Sequence, residues 1–383
     1  MTYGVISDRC PYESATLRNR APSVKSTDDQ PPHMGSRSTQ SVEPQGCLSR
    51  VWDLIRSVSE NCCSILSRSV VTILAPFNWM IKNRFGLAKV AGIPLVPSQQ
   101  VLPLPESGLP DLQTSREVVR AACEEANTDG FRTEPLQIKQ DSGILHGVIC
   151  YPPDWDGNNS QCILYHNPNG IVLSQLLDWG YLDPASVPGR IQSKKNCPVI
   201  LYDYRGTGLN KREGRLGKLP FSTCETIVQD GVAAVGCALE KFERVYVAGS
   251  SLGGGVATAS LARHLEARED DSRVELLSHD SFTTTPRVIM PKWPRLADAL
   301  GCLVGGKLDA QTPMCKLIDR KINVAALNHS DDGIIPKGAR MSEFLQSLYG
   351  EGRASGPAGG RVFAKEFSGD SHAVLTPAMA RYL

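Results

Sequence analysis

Gly249-Ser250-Ser251-Leu252-Gly253 constrains this chain more than any other stretch. It follows an apolar run suited to a strand, Arg244-Val245-Tyr246-Val247-Ala248, and opens a small-residue stretch suited to a helix, Gly254 to Ala262. A sharp strand-to-helix turn holds its central serine in a strained backbone conformation. Glycines two residues before and two after leave room for the chain to fold back on itself. The helix N-terminus then aims backbone N–H groups at the place where a negative oxygen develops.

The chain has 383 residues, with 41 Lys and Arg against 40 Asp and Glu. This length suits one large α/β domain plus an extension. The near-neutral balance gives no electrostatic case for a nucleic-acid partner. Of 12 cysteines, Cys150, Cys162, Cys197, Cys224 and Cys237 fall inside or beside apolar runs, where cysteine acts as a small buried hydrophobe. No C-x-x-C pair is present, and no secretory signal pattern begins at Met1. The chain reads as a reduced, cytoplasmic protein with no metal and no cofactor.

Residues 1–46 are rich in Ser, Pro, Arg and Asp and read as a disordered tail. Residues 47–92 read as an amphipathic, apolar helical arm, with Leu48, Val51, Trp52, Ile55 and Val58 at helical spacing. The apolar run from Ser69 to Ile81 is shorter than the roughly 20 residues of a membrane span. Two readings fit it: a helix packed on the core, or peripheral contact with a membrane surface through 47–92. Residues 93–112 form a Pro-rich linker, and 113–383 the main domain.

In that domain a hairpin is expected around Asp141-Ser142-Gly143. Strands follow at Cys162–Tyr165, Pro198–Tyr202, the run before Ser251, Val274–Leu277, Ile322–Leu327 and Arg361–Ala364. Ser222 to Leu239 reads as a helix, with Ser222 and Glu225 spaced as a capping box. Strands alternating with helices imply a mainly parallel sheet with helices on both faces.

A serine needs a base, and the base needs an orienting acid. After a serine on such a turn, the acid and then the histidine are expected on loops at the C-terminal ends of later strands. The strand ending at Leu327 runs into Asn328-His329-Ser330-Asp331-Asp332-Gly333, and the last strand into Phe367-Ser368-Gly369-Asp370-Ser371-His372. Asp331 and Asp332 both qualify as the acid. His329 comes too early in the chain to be the base.

From about residue 135 to its end the chain resembles the α/β-hydrolase superfamily. The motifs are the turn at Ser251, Asp203-Tyr204-Arg205-Gly206-Thr207-Gly208, Asp332-Gly333-Ile334-Ile335-Pro336 and Gly369-Asp370-Ser371-His372. More loosely, the N-terminal arrangement and the His166-Asn167-Pro168-Asn169-Gly170 loop resemble the CHLPS-type hydrolase-like proteins of chlamydiae and other intracellular bacteria. The superfamily resemblance implies an α/β-hydrolase fold. It also implies a Ser251–His372–Asp332 triad and an oxyanion hole from the amides of Leu252 and Asn169. Pro168, which has no N–H, stands where the superfamily often places the second donor. Asp203 and Arg205 read as braces between loops, not as catalytic groups.

The implied function is a serine hydrolase acting on a small-molecule or lipid acyl substrate: a carboxylester, lipid or thioester. The alternatives are a serine peptidase of the same fold, or an inactive hydrolase-fold protein that binds a membrane or partner. Val172, Leu173, Leu176, Leu177 and Trp179, with Leu300, Leu303 and Val304, are candidate walls of an apolar acyl pocket. The CHLPS resemblance further implies a secreted bacterial effector.

Overall fold

The computed structural model describes residues 112–381 apart from 129, 142, 158–159, 179–185, 211–222, 267–271, 305–306 and 370. The expected tail, the helical arm and all but the last residue of the linker lie outside the described residues. Among the described residues, no helix is long and apolar enough to cross a membrane.

Helix α1 (Leu112–Thr128) comes first. It was not anticipated, because its few apolar residues are scattered among charged ones. The hairpin follows as β1 (Arg132–Gln140) and β2 (Gly143–Tyr151). Strands β3 (Gln161–His166), β4 (Val199–Tyr202), β5 (Arg244–Ser250), β6 (Val274–His279) and β7 (Asn323–His329) come next, then β8 (Gly352–Ser355) and β9 (Arg361–Phe367). The nine strands form one sheet in the order β1-β2-β4-β3-β5-β6-β7-β9-β8. The run from β4 to β9 is parallel, while β1, β2 and β8 pair antiparallel at its two ends.

The sequence explains why both sheet faces are covered. β4 reads Val-Ile-Leu-Tyr and is buried throughout, as expected for an interior parallel strand. On one face Val245 and Val247 pack with Ile227, Val256, Leu261, Met314 and Leu345. These come from α4 (Cys224–Lys241), α5 (Leu252–Glu266), α8 (Gln311–Asp319) and α9 (Met341–Tyr349). On the other face Ala248, Leu277 and Leu327 pack with Val119, Leu173, Leu176, Ile191 and Met379. These come from α1, α2 (Leu173–Asp178), α3 (Val187–Lys195) and α10 (Pro377–Ala380). The alternation of β5 side chains between the two clusters follows from the two-residue period of a strand. Two further helices, α6 (Thr285–Ile289) and α7 (Pro294–Val304), lie between β6 and α8.

Two expectations need correction. The cap of α4 is Thr223, whose hydroxyl accepts from Thr226 N, while Thr226 Oγ1 accepts from Thr223 N at 2.7 Å. Glu225 instead accepts from Arg263 of α5 and from Gln229. Val172, Leu173, Leu176 and Leu177 are buried in the second core cluster or beside it, so they support the sheet rather than wall a pocket. Trp179 lies outside the described residues, and nothing is described of the side chains of Leu300, Leu303 and Val304.

The seven cysteines whose side chains are described are free, and Cys150, Cys162, Cys197 and Cys224 are buried. Strand register places the C-terminal ends of five strands in one row: His166 opposite Gly249, Ser250 opposite His279, His279 opposite Leu327, and His329 opposite Phe367. That row carries the candidate site.

Candidate active site

Ser251 is the single residue between the end of β5 and the start of α5. It has φ +54°, a left-handed conformation that a non-glycine residue adopts only when its surroundings enforce it. Ser251 N donates to His279 O at 2.9 Å, and Ser281 Oγ donates to Ser251 O at 2.9 Å. The glycines on either side are required by contact. A Cβ on Gly249 would strike the Gly253 backbone, and one on Gly253 would strike the carbonyl oxygens of His166 and Asn167. The helix therefore starts hard against the loop that follows β3.

Leu252 is the first residue of α5, so its N–H has no acceptor within the helix. Its side chain is buried in the core. The other predicted donor, Asn169, sits exposed on the turn that closes at Gly170, which has φ +79°. The loop leading to it is anchored at its base. Asn167 Nδ2 donates to Tyr202 O at 2.8 Å, and Tyr204 Oη donates to Asn167 O at 3.0 Å. His166 is fully buried with Nδ1 2.8 Å from Tyr202 Oη, and burial lowers its pKa to about 3. His166 is thus a neutral core residue and cannot shuttle protons near neutral pH.

Asp203 fixes the continuation of the same loop. Its carboxylate accepts from Leu173 N at 2.6 Å and Leu209 N at 2.8 Å. Arg205 donates through Nε to Asp230 of α4 at 2.6 Å and through a terminal nitrogen to Gln140 of β1 at 2.8 Å. The bracing role expected for both residues is what their contacts provide.

The loop after β7 brings Asp332, not Asp331, to the histidine. Asp332 is buried, and its Oδ1 accepts from Ile334 N at 2.7 Å and Ile335 N at 3.1 Å. Its Oδ2 lies 2.7 Å from His372 Nδ1. Asp331 is exposed and accepts from Ser330 Oγ. With Nδ1–H given to the carboxylate, His372 Nε2 carries the free lone pair. No hydrogen bond joins Ser251 Oγ to His372 among the described residues. Catalytic hydrogen bonds are often open before substrate arrives.

Sequence reasoning missed Asp280, which follows β6 directly and is fully buried. It lies against His329, with His329 Nδ1 2.9 Å from its Oδ2, and against His279. The visible signal was a carboxylate just past a strand end. It was obscured because the strand was expected to stop at Leu277, two residues short of its actual end. His279, Asp280 and His329 bring donor atoms within 4.8 Å of one another, as do Asp280, Asp332 and His372. Both carboxylates already accept N–H donors, which fits hydrogen bonding better than a dedicated metal cage.

This sheet order, with the left-handed serine between β5 and α5, is an α/β-hydrolase fold. No protein-family model matches the chain, and no curated protein does. Among solved structures, it is similar to an esterase of Pyrococcus furiosus, with 14% identity over 68% of this chain and 88% of that one, TM-score 0.41. It is similar to an esterase of the archaeon Pyrobaculum calidifontis, with 17% identity over 68% and 85%, TM-score 0.40. A fungal esterase of Rhizomucor miehei gives 15% identity over 72% and 88%, TM-score 0.43.

Proposed function

We propose that this chain is a serine hydrolase that cleaves an ester-type acyl substrate through an acyl-enzyme. The observation that carries the reading is the 2.7 Å contact of His372 Nδ1 with buried Asp332, combined with left-handed Ser251 on the same row of strand ends. In this reading the domain from 113 onward, extended by Leu112, carries the activity.

His372 Nε2 takes the proton of Ser251 Oγ as that oxygen attacks the carbonyl carbon. The negative charge moves onto the former carbonyl oxygen, where the N–H groups of Leu252 and Asn169 stabilise it. As the tetrahedral intermediate collapses, the bond to the leaving alcohol or thiol breaks, and His372 gives that group its proton. Water then attacks the acyl-enzyme, with His372 again as base, releasing the acid and restoring Ser251. Asp332 holds the tautomer and orientation of His372 throughout. An acyl substrate with an apolar body is favoured by Ile334 and Val374, each two residues past Asp332 or His372 and both well exposed.

Fluorophosphonate labelling tests this. Wild type should be labelled, Ser251→Ala should not, and His372→Ala and Asp332→Asn should label far more slowly. Absence of labelling on folded wild type would sink the reading and favour a non-catalytic hydrolase fold. Acyl-ester and peptide substrates, compared on wild-type protein that has not been exposed to the probe, would separate esterase from peptidase.

A further inference from the structure

Asp280 has φ +41° and is completely enclosed. Its carboxylate gathers donors from the last residue of β7 and from the loop after β9. His329 N donates to Oδ1 at 2.8 Å, and His329 Nδ1 lies 3.1 Å from Oδ1 and 2.9 Å from Oδ2. Ala373 N, from the residue after His372, donates to Oδ2 at 2.9 Å. His279 Nε2 stands 3.4 Å from Oδ2, and Asp280 N itself donates to Leu327 O at 2.7 Å. One side chain thus ties together the end of β7 and the loops after β6 and β9. His279, its neighbour in sequence, holds Ser251 N through its carbonyl.

Backbone strain marks the same cluster. Of the five non-glycine residues at positive φ among the described residues, three are Ser251, Asp280 and Ala373. Such strain costs stability and persists where surrounding contacts over-determine it. Burial opposes charge on Asp280, but the neighbouring His279 and His329 outweigh it and hold the carboxyl below its ordinary range. Burial holds His279 below its own ordinary value, while the Asp280 carboxylate beside it pulls the other way. A carboxylate oxygen of Asp280 also lies within 4.8 Å of a ring nitrogen of His372.

We propose that Asp280 is a positioning residue of this site, locking the His372 loop through the Ala373 N–H and placing a second negative charge near the His372 ring. Asp332 contacts the imidazole directly. Asp280 acts on its loop and on its charged form. The kinetic part of this proposal rests on Ser251, His372 and Asp332 being catalytic, whereas the electrostatic part does not.

The deciding experiment is an NMR titration of His372 in the full chain, with ring-labelled histidine and His372→Gln to assign its signal. Among the described residues, Asp332, His279 and His329 are titratable groups of the same cluster, and all stay in place in each variant. In Asp280→Asn the His372 midpoint should fall by about one pH unit, because the imidazolium loses a nearby opposite charge. Asp280→Glu, which keeps the charge, should stay close to wild type. If Asp280→Asn does not fold, Asp280→Ser removes the same charge in a smaller volume. On an acyl ester, Asp280→Asn should lower kcat about 10- to 100-fold through misplacement of the base, with KM nearly unchanged. The acid limb of its pH profile should move to lower pH. An unshifted His372 midpoint in a folded charge-removed variant overturns the proposal. An inactive wild type would instead overturn the hydrolase reading, and the titration would still decide the role of Asp280.

Discussion

A methyl group on Gly253 would collide with the carbonyl oxygens of His166 and Asn167. Neither is a flexible side-chain end, so either the start of α5 or the loop after β3 must move. Gly253→Ala should therefore destabilise the fold by about 1–3 kcal/mol, as overpacking does, which urea unfolding would measure. Ser251→Ala removes only a hydroxyl from the same turn and should leave stability nearly unchanged. Equal stability of Gly253→Ala and wild type would mean that the loop yields easily. Asp203 makes a different residue-level prediction. Burial pushes its carboxyl from 3.8 up to about 6, even though the N–H groups of Leu173 and Leu209 pull the other way. A raised carboxyl favours the folded state only while protonated. Its contribution is full below about pH 4 and is lost as pH climbs through about 6, an effect of roughly 3 kcal/mol. The unfolding free energy of wild type minus that of Asp203→Asn should fall across this window and level above it. A flat difference from pH 4 to 7 would count against a buried, strained charge at Asp203.

At the scale of elements, the cap of α4 gives a direct test. Thr223→Ala removes the acceptor for Thr226 N and should cost about 1 kcal/mol, read from chemical denaturation. Glu225→Gln, whose carboxylate meets Arg263 in the open, should cost less than about 1 kcal/mol. The misplaced cap shows what sequence patterns resolve. Ser222 and Glu225 have the right spacing, yet Thr223 and Thr226 have the same spacing one residue on, and packing of the helix chooses between them. The interior strands β3 to β7 and β9 were legible because parallel strands buried on both faces are short, nearly unbroken apolar runs. Helix α1, the short helix α6 and edge strand β8 were not, since their apolar residues are few, and α7 was not because its Leu300, Leu303 and Val304 were read as pocket walls. Ser251, Asp332 and His372 were legible as candidates because each lies no more than a few residues beyond a strand end, after β5, β7 and β9 in turn. Asp280 directly follows β6, but the polar Ser278 and His279 made that strand look two residues too short. Val172 to Leu177 looked like pocket walls because apolar helices after an oxyanion loop suit either role. Only the structure, which buries Leu173, Leu176 and Leu177 in the same core cluster as Ile163 and Tyr165, shows which.

Across the whole molecule, the outer hairpin and the helical layer meet at Arg205. This residue follows β4, donates to Asp230 in the middle of α4, and reaches Gln140 at the end of β1. Asp230 is fully buried, and its Oδ2 also accepts the Arg205 backbone N–H at 2.7 Å. The pair is enclosed, so water cannot replace a missing partner. Arg205→Met should leave a carboxylate unpaired in the interior and cost about 3–5 kcal/mol. Asp230→Asn alone should cost less, because the amide oxygen still accepts from Arg205. The double variant Arg205→Met with Asp230→Leu removes both charges, and should recover much of the loss if desolvation is the dominant cost. Urea unfolding of the four proteins in a double-mutant cycle measures the coupling. Additive losses would mean that the two groups act separately. Non-additive losses would place the junction of β1, β4 and α4 in one cooperative unit. Asp203 is two residues away on the same strand-to-loop segment and fixes the loop that leads from Asn169. Loosening Arg205 should therefore also slow labelling of Ser251 by a fluorophosphonate at temperatures well below unfolding. A destabilised Arg205→Met that is still labelled at the wild-type rate would show that the brace serves stability alone.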